Sequence, residues 1–392
     1  MKNSASRRKF LKAGLAIPAA GLVSIRLGTP SQPSAAAPAG VAYRILGKTG
    51  LKVSTVGFGT ASNPGIDILL RAFDLGVNYI DTAHSYGSSE ETVGKAVKGR
   101  RDKVVIATKC GGGKKEEIFK DAEASLKALG TDYVDVLLLH AADSPDRLTD
   151  DSVGALEEIK KQGKARFVGL STHNPVALLD AILKSAKLDV VLTTYSYATG
   201  GIYRNEAIKT LNHAGVGVVA MKVTRAMTGI QMMEDMRRGV RMQDMNFAQK
   251  ISSEACVSAI KWALANPAIA TTVPGHASME HLEMNVKAMT EPYTEKDERL
   301  LYAKSEAIRP YYCRMCYECS GQCPNGMPVT DVLRFLAYND FGGNFHQARS
   351  MFHELPDKIR GIRCMDCASC AVQCPNGVRV RQRLIRAQQL LA

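Results

Sequence analysis

The chain has 392 residues, enough for one large domain and one small domain, and its apolar fraction of 45% supports a buried core. Of the formal charge of +13, the first 40 residues carry +6, the stretch from Arg309 onward carries +5, and the remainder carries only +2. Because the charge forms no large basic face, we expect no nucleic-acid partner.

The N-terminus combines a basic segment, Ser6–Lys12, with a mildly apolar run and a small-residue stretch that includes Ala37 and Ala39. This pattern is typical of a twin-arginine export signal with a cleavage site near those alanines. A transmembrane anchor or a disordered basic arm is the alternative, but the apolar run is short and is broken by Pro18. The twin-arginine export machinery carries folded proteins, so we expect a periplasmic protein whose cofactors are loaded in the cytoplasm.

From Tyr43 to Met289, apolar strand patterns alternate with helix patterns. The predicted strands are Val53–Gly57, Val77–Ile80, Val104–Thr108, Val134–Leu139, Phe167–Ser171, Val190–Tyr195, Val216–Met221 and Ile269–Pro274. The predicted helices are Ile66–Leu75, Glu90–Val97, Lys115–Leu129, Val153–Gln162, Ala177–Ser185, Glu206–His213, Glu254–Ala265 and Glu280–Met289. Continuous apolar strands favour a parallel sheet buried on both faces, and eight such units predict an α/β fold of the (β/α)8 TIM-barrel type. An open doubly wound sheet is the alternative, but no Gly-x-Gly-x-x-Gly follows the first strand.

One connection of the predicted barrel is unusually long. It runs from Met221 to Glu254 and is rich in methionine. Long loops at this end of a barrel are often lids or binding surfaces. A short extra helix that packs its methionines on the barrel is the alternative.

Four polar residues follow three successive predicted strands. Asp81 and Tyr86 follow the second strand, Lys109 follows the third and His140 follows the fourth. Each residue alone has a structural explanation, such as a helix cap or a buried core side chain. Together they would lie at the carboxyl end of a parallel barrel, where active sites occur. We refer to these four residues as the tetrad.

At this point the chain resembles the aldo-keto reductases. The matching stretches are Leu46–Ser54, Asp81–Gly87, Ala107–Lys109, Asp135–His140 and Val168–Ser171. The resemblance implies reduction of a small carbonyl compound, or oxidation of an alcohol, with a nicotinamide cofactor. An adjacent lysine ammonium lowers the pKa of a tyrosine, an aspartate fixes that lysine and a histidine orients the substrate oxygen. Tyr86 is therefore the predicted acid/base. Lys109 and Asp81 would tune its pKa, and His140 would orient the substrate.

The resemblance is weaker at the nucleotide site. Ser171-Thr172 stands where relatives hold the carboxamide with Ser-Asn, Leu192 replaces a glutamine, and the aromatic expected near Met221 is absent. Lys222 follows directly and would supply charge. The predicted nucleotide-binding residues are Ser171, Thr172, Lys222, Gly275, His276, Ser278, His281 and Asn285. A helix N-terminus suits a phosphate there, and NADP(H) is the expected cofactor.

Eight of the ten cysteines form two runs of identical spacing, Cys-x2-Cys-x2-Cys-x3-Cys-Pro. The first run is Cys313, Cys316, Cys319 and Cys323, and the second is Cys364, Cys367, Cys370 and Cys374. This spacing is the bacterial ferredoxin pattern and predicts two [4Fe–4S] clusters, each completed by the fourth cysteine of the other run. Zinc sites or disulfides are the alternatives. Cys110 and Cys256 remain as buried thiols.

These patterns divide the chain into a signal peptide and linker (1–40), a barrel (41–292) and a mainly helical, ferredoxin-like domain (293–392). We expect an exported oxidoreductase that acts at Tyr86 and relays electrons through its clusters to a redox partner. The alternative is an iron–sulfur electron-transfer or structural subunit whose barrel is a docking scaffold without nicotinamide chemistry. Nicotinamide transfers two electrons and each cluster transfers one. The sequence does not specify the step that would join the two processes.

Overall fold

The computed structural model describes residues 40–229, 254–276 and 278–392. The predicted export signal and most of the methionine-rich connection lie outside these residues. The described residues belong to one compact unit. Within these three ranges, no helix is both long and apolar enough to cross a bilayer.

Eight parallel strands form a closed barrel in the order of the sequence. The strands are β3 (Phe58–Gly59), β4 (Tyr79–Asp81), β5 (Val105–Cys110), β6 (Val134–Leu139), β7 (Ala165–Thr172), β8 (Val190–Thr194), β9 (Gly217–Met221) and β10 (Thr271–Thr272). The sheet closes where Gly57 N donates to Thr272 O at 2.7 Å and Gly59 N donates to Pro274 O at 2.9 Å. The predicted (β/α)8 barrel is therefore confirmed.

Helices cover the outside of the barrel. They are α1 (Ile66–Asp74), α2 (Ser89–Val97), α3 (Lys115–Leu129), α4 (Asp150–Lys161), α5 (Pro175–Ser185), α6 (Ile202–His213), α7 (Glu254–Leu264) and α8 (Met279–Lys287). Every residue of β5 and of β6 is buried, because helices cover one face and barrel side chains fill the other. This burial explains why the strands are continuous apolar runs in the sequence.

The first barrel strand differs from its prediction. Lys52–Ser54 is β2, which pairs in antiparallel fashion with β1 (Tyr43–Ile45), and the parallel sheet begins later. Ser54 N donates to Asn78 Oδ1 at 2.7 Å, and Asn78 N donates to Ser54 Oγ at 3.2 Å. These two bonds hold the end of the hairpin beside the entry to β4, so the chain pairs in the barrel only after residue 54.

The β1–β2 hairpin closes the amino-terminal end of the barrel. Leu46 is fully buried among the side chains that fill the barrel. Gly47 follows with a φ of +52°, and a Cβ atom there would lie 2.3 Å from Gly217 N. Only glycine fits this approach. The barrel is therefore accessible at its carboxyl-terminal end.

The C-terminal segment is helical, as predicted. Its helices are α9 (Glu295–Ile308), α10 (Val329–Asp340), α11 (Phe345–His353), α12 (Asp357–Arg360) and α13 (Val380–Leu391). Asp297 of α9 accepts a hydrogen bond from Ser258 at 2.6 Å and pairs with Lys261 at 2.9 Å, so α9 packs on α7 of the barrel. The later helices enclose a second core, in which Asp340 pairs with Arg383 at 2.6 Å.

Candidate active site

The structure brings the tetrad together at the carboxyl end of the barrel. Lys109 Nζ donates to Asp81 Oδ2 at 2.8 Å and to Thr82 O at 2.6 Å, and the lysine is only 1% exposed. The same ammonium lies 4.9 Å from the centre of the Tyr86 ring. His140 stands edge-on to Tyr86, with 5.8 Å between ring centres. A buried cation thus links the carboxylate to the phenol.

The protonation states of the tetrad differ in part from expectation. Burial raises the pKa of Tyr86 above its ordinary value, and the Lys109 ammonium only partly offsets this effect. The expected lowering by Lys109 is therefore outweighed, and Tyr86 is a protonated phenol at neutral pH. Burial, together with Lys109 and Lys222, lowers the pKa of His140 to about 3, so its imidazole is neutral. The neutral phenol and the neutral imidazole can each donate a hydrogen bond to a carbonyl oxygen.

A cavity of about 1400 Å³ opens above the tetrad. Its barrel wall includes Asp81, Tyr86, His140, Ser171, Lys222 and Gly275. Its other wall comes from the C-terminal segment and includes Tyr317, Asp331, Arg334, Phe335, Tyr338 and Phe341. Three of the four tetrad residues, Asp81, Tyr86 and His140, thus face the same space as Gly275 of the predicted phosphate turn, and the C-terminal segment bounds it.

The two residues predicted to hold the carboxamide are engaged within the chain. Ser171 Oγ accepts a hydrogen bond from Ala141 N at 2.8 Å. Thr172 Oγ1 donates to Asp143 Oδ1 at 3.3 Å and accepts from Asn174 N at 2.9 Å. Both side chains are buried, and Ser171 alone of the two lines the cavity. A ligand amide would have to share these groups with their internal partners.

The predicted phosphate turn lies at the start of α8. Ser278 Oγ accepts a hydrogen bond from His281 N at 3.1 Å and so caps the helix. His276 bonds to Gly57 O at 3.2 Å and to Asn285 Nδ2 at 3.2 Å, and burial lowers its pKa to about 3. His276 and Asn285 therefore fasten the turn to the barrel, while Gly275 borders the cavity.

Lys222 lies in a polar cluster that includes residues absent from the sequence-based prediction. Its Nζ lies 2.5 Å from His173 Nε2 and 2.6 Å from Tyr338 Oη. His173 Nδ1 in turn lies 2.9 Å from Asp143 Oδ2, and Arg334 pairs with that carboxylate at 3.3 Å. The only signal for His173 in the sequence was its place after Ser171-Thr172. Nothing in the sequence linked Tyr338 or Arg334 to the barrel.

The cysteine runs approach one another across the C-terminal segment. All ten cysteines lie in the described residues, and none is in a disulfide. Asn376, two residues after the last cysteine of the second run, donates to Cys316 Sγ of the first run at 3.4 Å. Asn325 holds the equivalent place after the first run and donates to Cys367 Sγ at 3.9 Å. The turn that ends each cysteine run thus lies against a cysteine of the other run.

The electrostatic neighbours of the thiols divide into two groups. Burial raises the pKa of Cys313 to about 12, with further contributions from Cys319, Cys316 and Cys374. Burial likewise raises the pKa of Cys364 to about 11, with contributions from Cys323, Cys367 and Cys370. Each group contains three cysteines of one run and the fourth of the other.

The thiol groups were also compared with the ligand sets that single metal ions require. Among the described residues, no three His, Cys, Asp or Glu side chains are placed to bind one ion together. A [4Fe–4S] cluster is bound through four different iron atoms, so its thiolates stand farther apart than the ligands of one ion.

Comparison with known proteins identifies the family. Residues 55–306 match the Aldo/keto reductase family. L-galactose dehydrogenase of Arabidopsis thaliana is 30% identical over 285 residues, which cover 64% of this chain and 89% of the plant protein. L-glyceraldehyde 3-phosphate reductase of Escherichia coli K12 is 25% identical over 302 residues, covering 63% of this chain and 87% of that enzyme. An aldo-keto reductase from Bacillus halodurans, in its holo form, superposes with a TM-score of 0.55 at 25% identity and covers 68% of this chain and 97% of that one. Because the family match spans more than half of the chain, this protein belongs to the aldo/keto reductase family and is an oxidoreductase.

Proposed function

We propose that this protein is an exported aldo-keto reductase that interconverts a small carbonyl compound and its alcohol. NADP(H) would be its nucleotide, and its C-terminal segment would carry two [4Fe–4S] clusters that pass electrons to a redox partner. The observation that carries the proposal is the Lys109 ammonium, which is buried beside Asp81 and Tyr86, two residues that line a large cavity.

In this proposal, Tyr86 donates its proton to the carbonyl oxygen during reduction. The neutral His140 orients that oxygen, because its imidazole lies edge-on to the phenol. Lys109 stabilises the phenolate left behind, and Asp81 holds the ammonium in place. NADP(H), when bound, would supply or accept the hydride.

The cavity supports a nucleotide of this size. It extends from Tyr86 to Gly275, and a Cβ added to Gly275 would contact only Ser62 Oγ, at 3.8 Å. The backbone at this turn is therefore open to a ligand, and the N-terminus of α8 favours an anion beside it. Lys222 lies on the same cavity and would add a positive charge.

The two groups of thiols, each with three cysteines of one run and the fourth of the other, support two clusters. Cys313, Cys316, Cys319 and Cys374 would hold one cluster, and Cys364, Cys367, Cys370 and Cys323 would hold the other. Such clusters supply one-electron transfer. The twin-arginine pattern supports export to the periplasm, since that route would carry the chain after its clusters are assembled.

A test uses the full chain purified anaerobically. We expect NADPH to quench the fluorescence of the single Trp262 or of the tyrosines, and NADPH oxidation to accompany reduction of 4-nitrobenzaldehyde. A broad absorbance near ~400 nm, bleached by dithionite, would report the clusters. Absence of both nucleotide binding and turnover would contradict the reductase proposal.

One observation favours the second candidate, an electron-transfer or structural subunit. Ser171 and Thr172 are buried and hydrogen-bonded within the chain, so a carboxamide at these positions would have to share them with their internal partners. The same purified protein separates the two functions. Dithionite-sensitive absorbance without any NADPH binding would favour the electron-transfer subunit.

A further inference from the structure

The cavity contains a second buried tyrosine, which α10 brings to the barrel. Tyr338 is 3% exposed, and its Oη accepts hydrogen bonds from Lys222 Nζ at 2.6 Å and from Arg334 Nη1 at 3.3 Å. Lys222 Nζ lies 4.5 Å from the centre of the Tyr338 ring, and Arg225 Cζ lies 5.0 Å from it. Three cations thus surround one phenol.

The neighbouring histidine completes a network that donates to this phenol. Lys222 can only donate, so His173 Nε2 accepts a hydrogen bond from its Nζ at 2.5 Å and the ring hydrogen is on Nδ1, which faces Asp143. The same Nε2 lies 3.3 Å from Tyr338 Oη. Burial, Lys222 and Arg334 lower the pKa of His173 well below its ordinary value. The imidazole is neutral, and Lys222 remains the cation that faces Tyr338.

The charges around Tyr338 balance when it is ionised. The cations are Lys222, Arg225 and Arg334, and the carboxylates are Asp143 and Asp331, which both pair with Arg334. One positive charge is left over, and a phenolate would neutralise it. The other titratable neighbours, Tyr86 and Tyr312, are phenols whose pKa values are raised by burial.

The pKa values of the two tyrosines of the cavity are shifted in opposite directions. Burial raises the pKa of Tyr338, but Lys222, Arg334 and Arg225 outweigh burial and lower it to about 7. Burial also lowers the pKa of Lys222 to about 8, which leaves its ammonium charged at pH 7. Two titratable groups whose surroundings push their pKa values apart are suited to separate acid and base roles.

We propose that Tyr338 is a second catalytic residue of this cavity, a phenolate base that removes a proton from the carbon next to a carbonyl group held by Tyr86 and His140. The substrate class is a small enolisable carbonyl compound, and the activity is enolisation. The inference rests on the part of the proposed function that places a carbonyl oxygen at Tyr86.

The step balances without any further reactant. The carbon–hydrogen bond breaks, its proton goes to the Tyr338 oxygen, and its electron pair forms the carbon–carbon double bond of the enol. The π electrons of the carbonyl group move to oxygen, which takes the proton of Tyr86. The reverse step restores the carbonyl compound, with a solvent deuteron on carbon when the reaction runs in D₂O. No electron leaves the substrate, so neither nucleotide nor cluster takes part.

The first test reads the ionisation of Tyr338 directly. The anaerobically purified full chain and its Tyr338→Phe variant are titrated from pH 5.5 to 9, and the difference in absorbance at 295 nm is recorded. We expect a phenolate signal with a midpoint near pH 7, and a higher midpoint in Lys222→Met. A difference spectrum without phenolate up to pH 9 would overturn the proposal.

The second test measures the activity. Dihydroxyacetone is incubated with the protein in D₂O without nucleotide, and deuterium incorporation is followed by proton NMR. We expect Tyr338→Phe to slow the exchange at least tenfold, with Lys222→Arg retaining more activity than Lys222→Met. Tyr302→Phe, which changes a tyrosine that is 61% exposed, is the matched control and should exchange like the unchanged protein.

Reduction of 4-nitrobenzaldehyde by NADPH separates the reductase proposal from the base role of Tyr338. This aldehyde has no enolisable carbon, so its reduction does not need the base. Reduction without deuterium exchange, or equal exchange in Tyr338→Phe and the unchanged protein, would overturn the base role alone. Tyr338-dependent exchange without reduction would support the base and contradict the nicotinamide chemistry. Circular dichroism of each variant confirms that it is folded.

Discussion

Arg204 of α6 donates a hydrogen bond from Nη2 to the carbonyl oxygen of Met315, at 2.9 Å. Met315 lies inside the first cysteine run, between Cys313 and Cys316. The same guanidinium donates to three barrel carbonyls, including Thr194 O at 2.9 Å, and Arg204 is 5% exposed. One buried side chain thus joins the barrel to the proposed cluster-binding loop.

Replacing Arg204 by Met should loosen this junction. The change leaves buried carbonyl groups without a donor, and we expect the free energy of unfolding to fall by about 3 kcal/mol. Urea denaturation of the anaerobically purified protein measures the change, and iron content measures whether the cysteine loop is still held. Arg299→Met, at a side chain that is 73% exposed, is the control. Equal stability of the two variants would contradict the role of Arg204.

Replacing Tyr86 by Phe should remove turnover while leaving nucleotide affinity nearly unchanged. The phenol is the proposed proton donor, and loss of such a group lowers the rate by roughly a hundredfold to ten-thousandfold. Steady-state NADPH oxidation with 4-nitrobenzaldehyde measures the rate, and fluorescence titration measures nucleotide binding. Tyr203→Phe, at an exposed tyrosine, serves as the control. Unchanged turnover in Tyr86→Phe would exclude Tyr86 as the acid.

His276 should make the fold sensitive to acid. Burial lowers its pKa in the folded chain to about 3, so below about pH 6.5 the unfolded chain binds a proton that the folded chain does not. The stability contributed by the neutral histidine is therefore present above pH 6.5 and is lost as the pH falls towards 3.

The variant His276→Gln tests this linkage. Glutamine can donate to Gly57 O but does not titrate, so between pH 7.5 and 5.5 the variant should lose about 1.4 kcal/mol less stability than the unchanged protein. Urea denaturation at the two pH values gives the comparison. His213→Gln, at an exposed histidine, should follow the unchanged protein. If the free energy of unfolding changed equally between the two pH values in His276→Gln and in the unchanged protein, the prediction would be contradicted.

Replacing Cys374 by Ser should damage the cluster assigned to the first cysteine run. Its thiol belongs with those of Cys313, Cys316 and Cys319, so one of two clusters loses a ligand and about half of the iron should be lost. Iron analysis and electron paramagnetic resonance of the dithionite-reduced protein measure the effect. Cys110→Ser, at a buried cysteine outside both runs, is the control. Full iron content with an unchanged spectrum in Cys374→Ser would exclude the exchange of ligands.

The sequence was informative where the chemistry is local. Buried parallel strands appear as apolar runs, and a polar residue after such a run must lie at the carboxyl end of the barrel, so the positions of Asp81, Lys109 and His140 were predictable. The start of the first barrel strand was less clear, because the predicted strand Val53–Gly57 overlaps β2 of the hairpin. The bond that holds the end of β2 comes from Asn78, which is 24 residues away from Ser54.

The wall of the cavity that the C-terminal segment forms was not predictable from the sequence. Tyr338 and Lys222 are 116 residues apart, and an amphipathic helix does not reveal which neighbour its face will contact. The pKa of Tyr86 was expected to be lowered but is raised, for a related reason. A nearby lysine is visible in the sequence, whereas the burial that outweighs it is a property of the folded chain.

The order of synthesis on the ribosome gives the position of α10 a consequence. Tyr338 and Arg334 are translated after the whole barrel, so the carboxyl end of a nascent barrel lacks this wall until α10 emerges and docks. A chain truncated after residue 308 would keep every barrel strand and the tetrad but lack the far wall of the cavity. The reaction chamber is therefore completed only after the barrel itself has been synthesised.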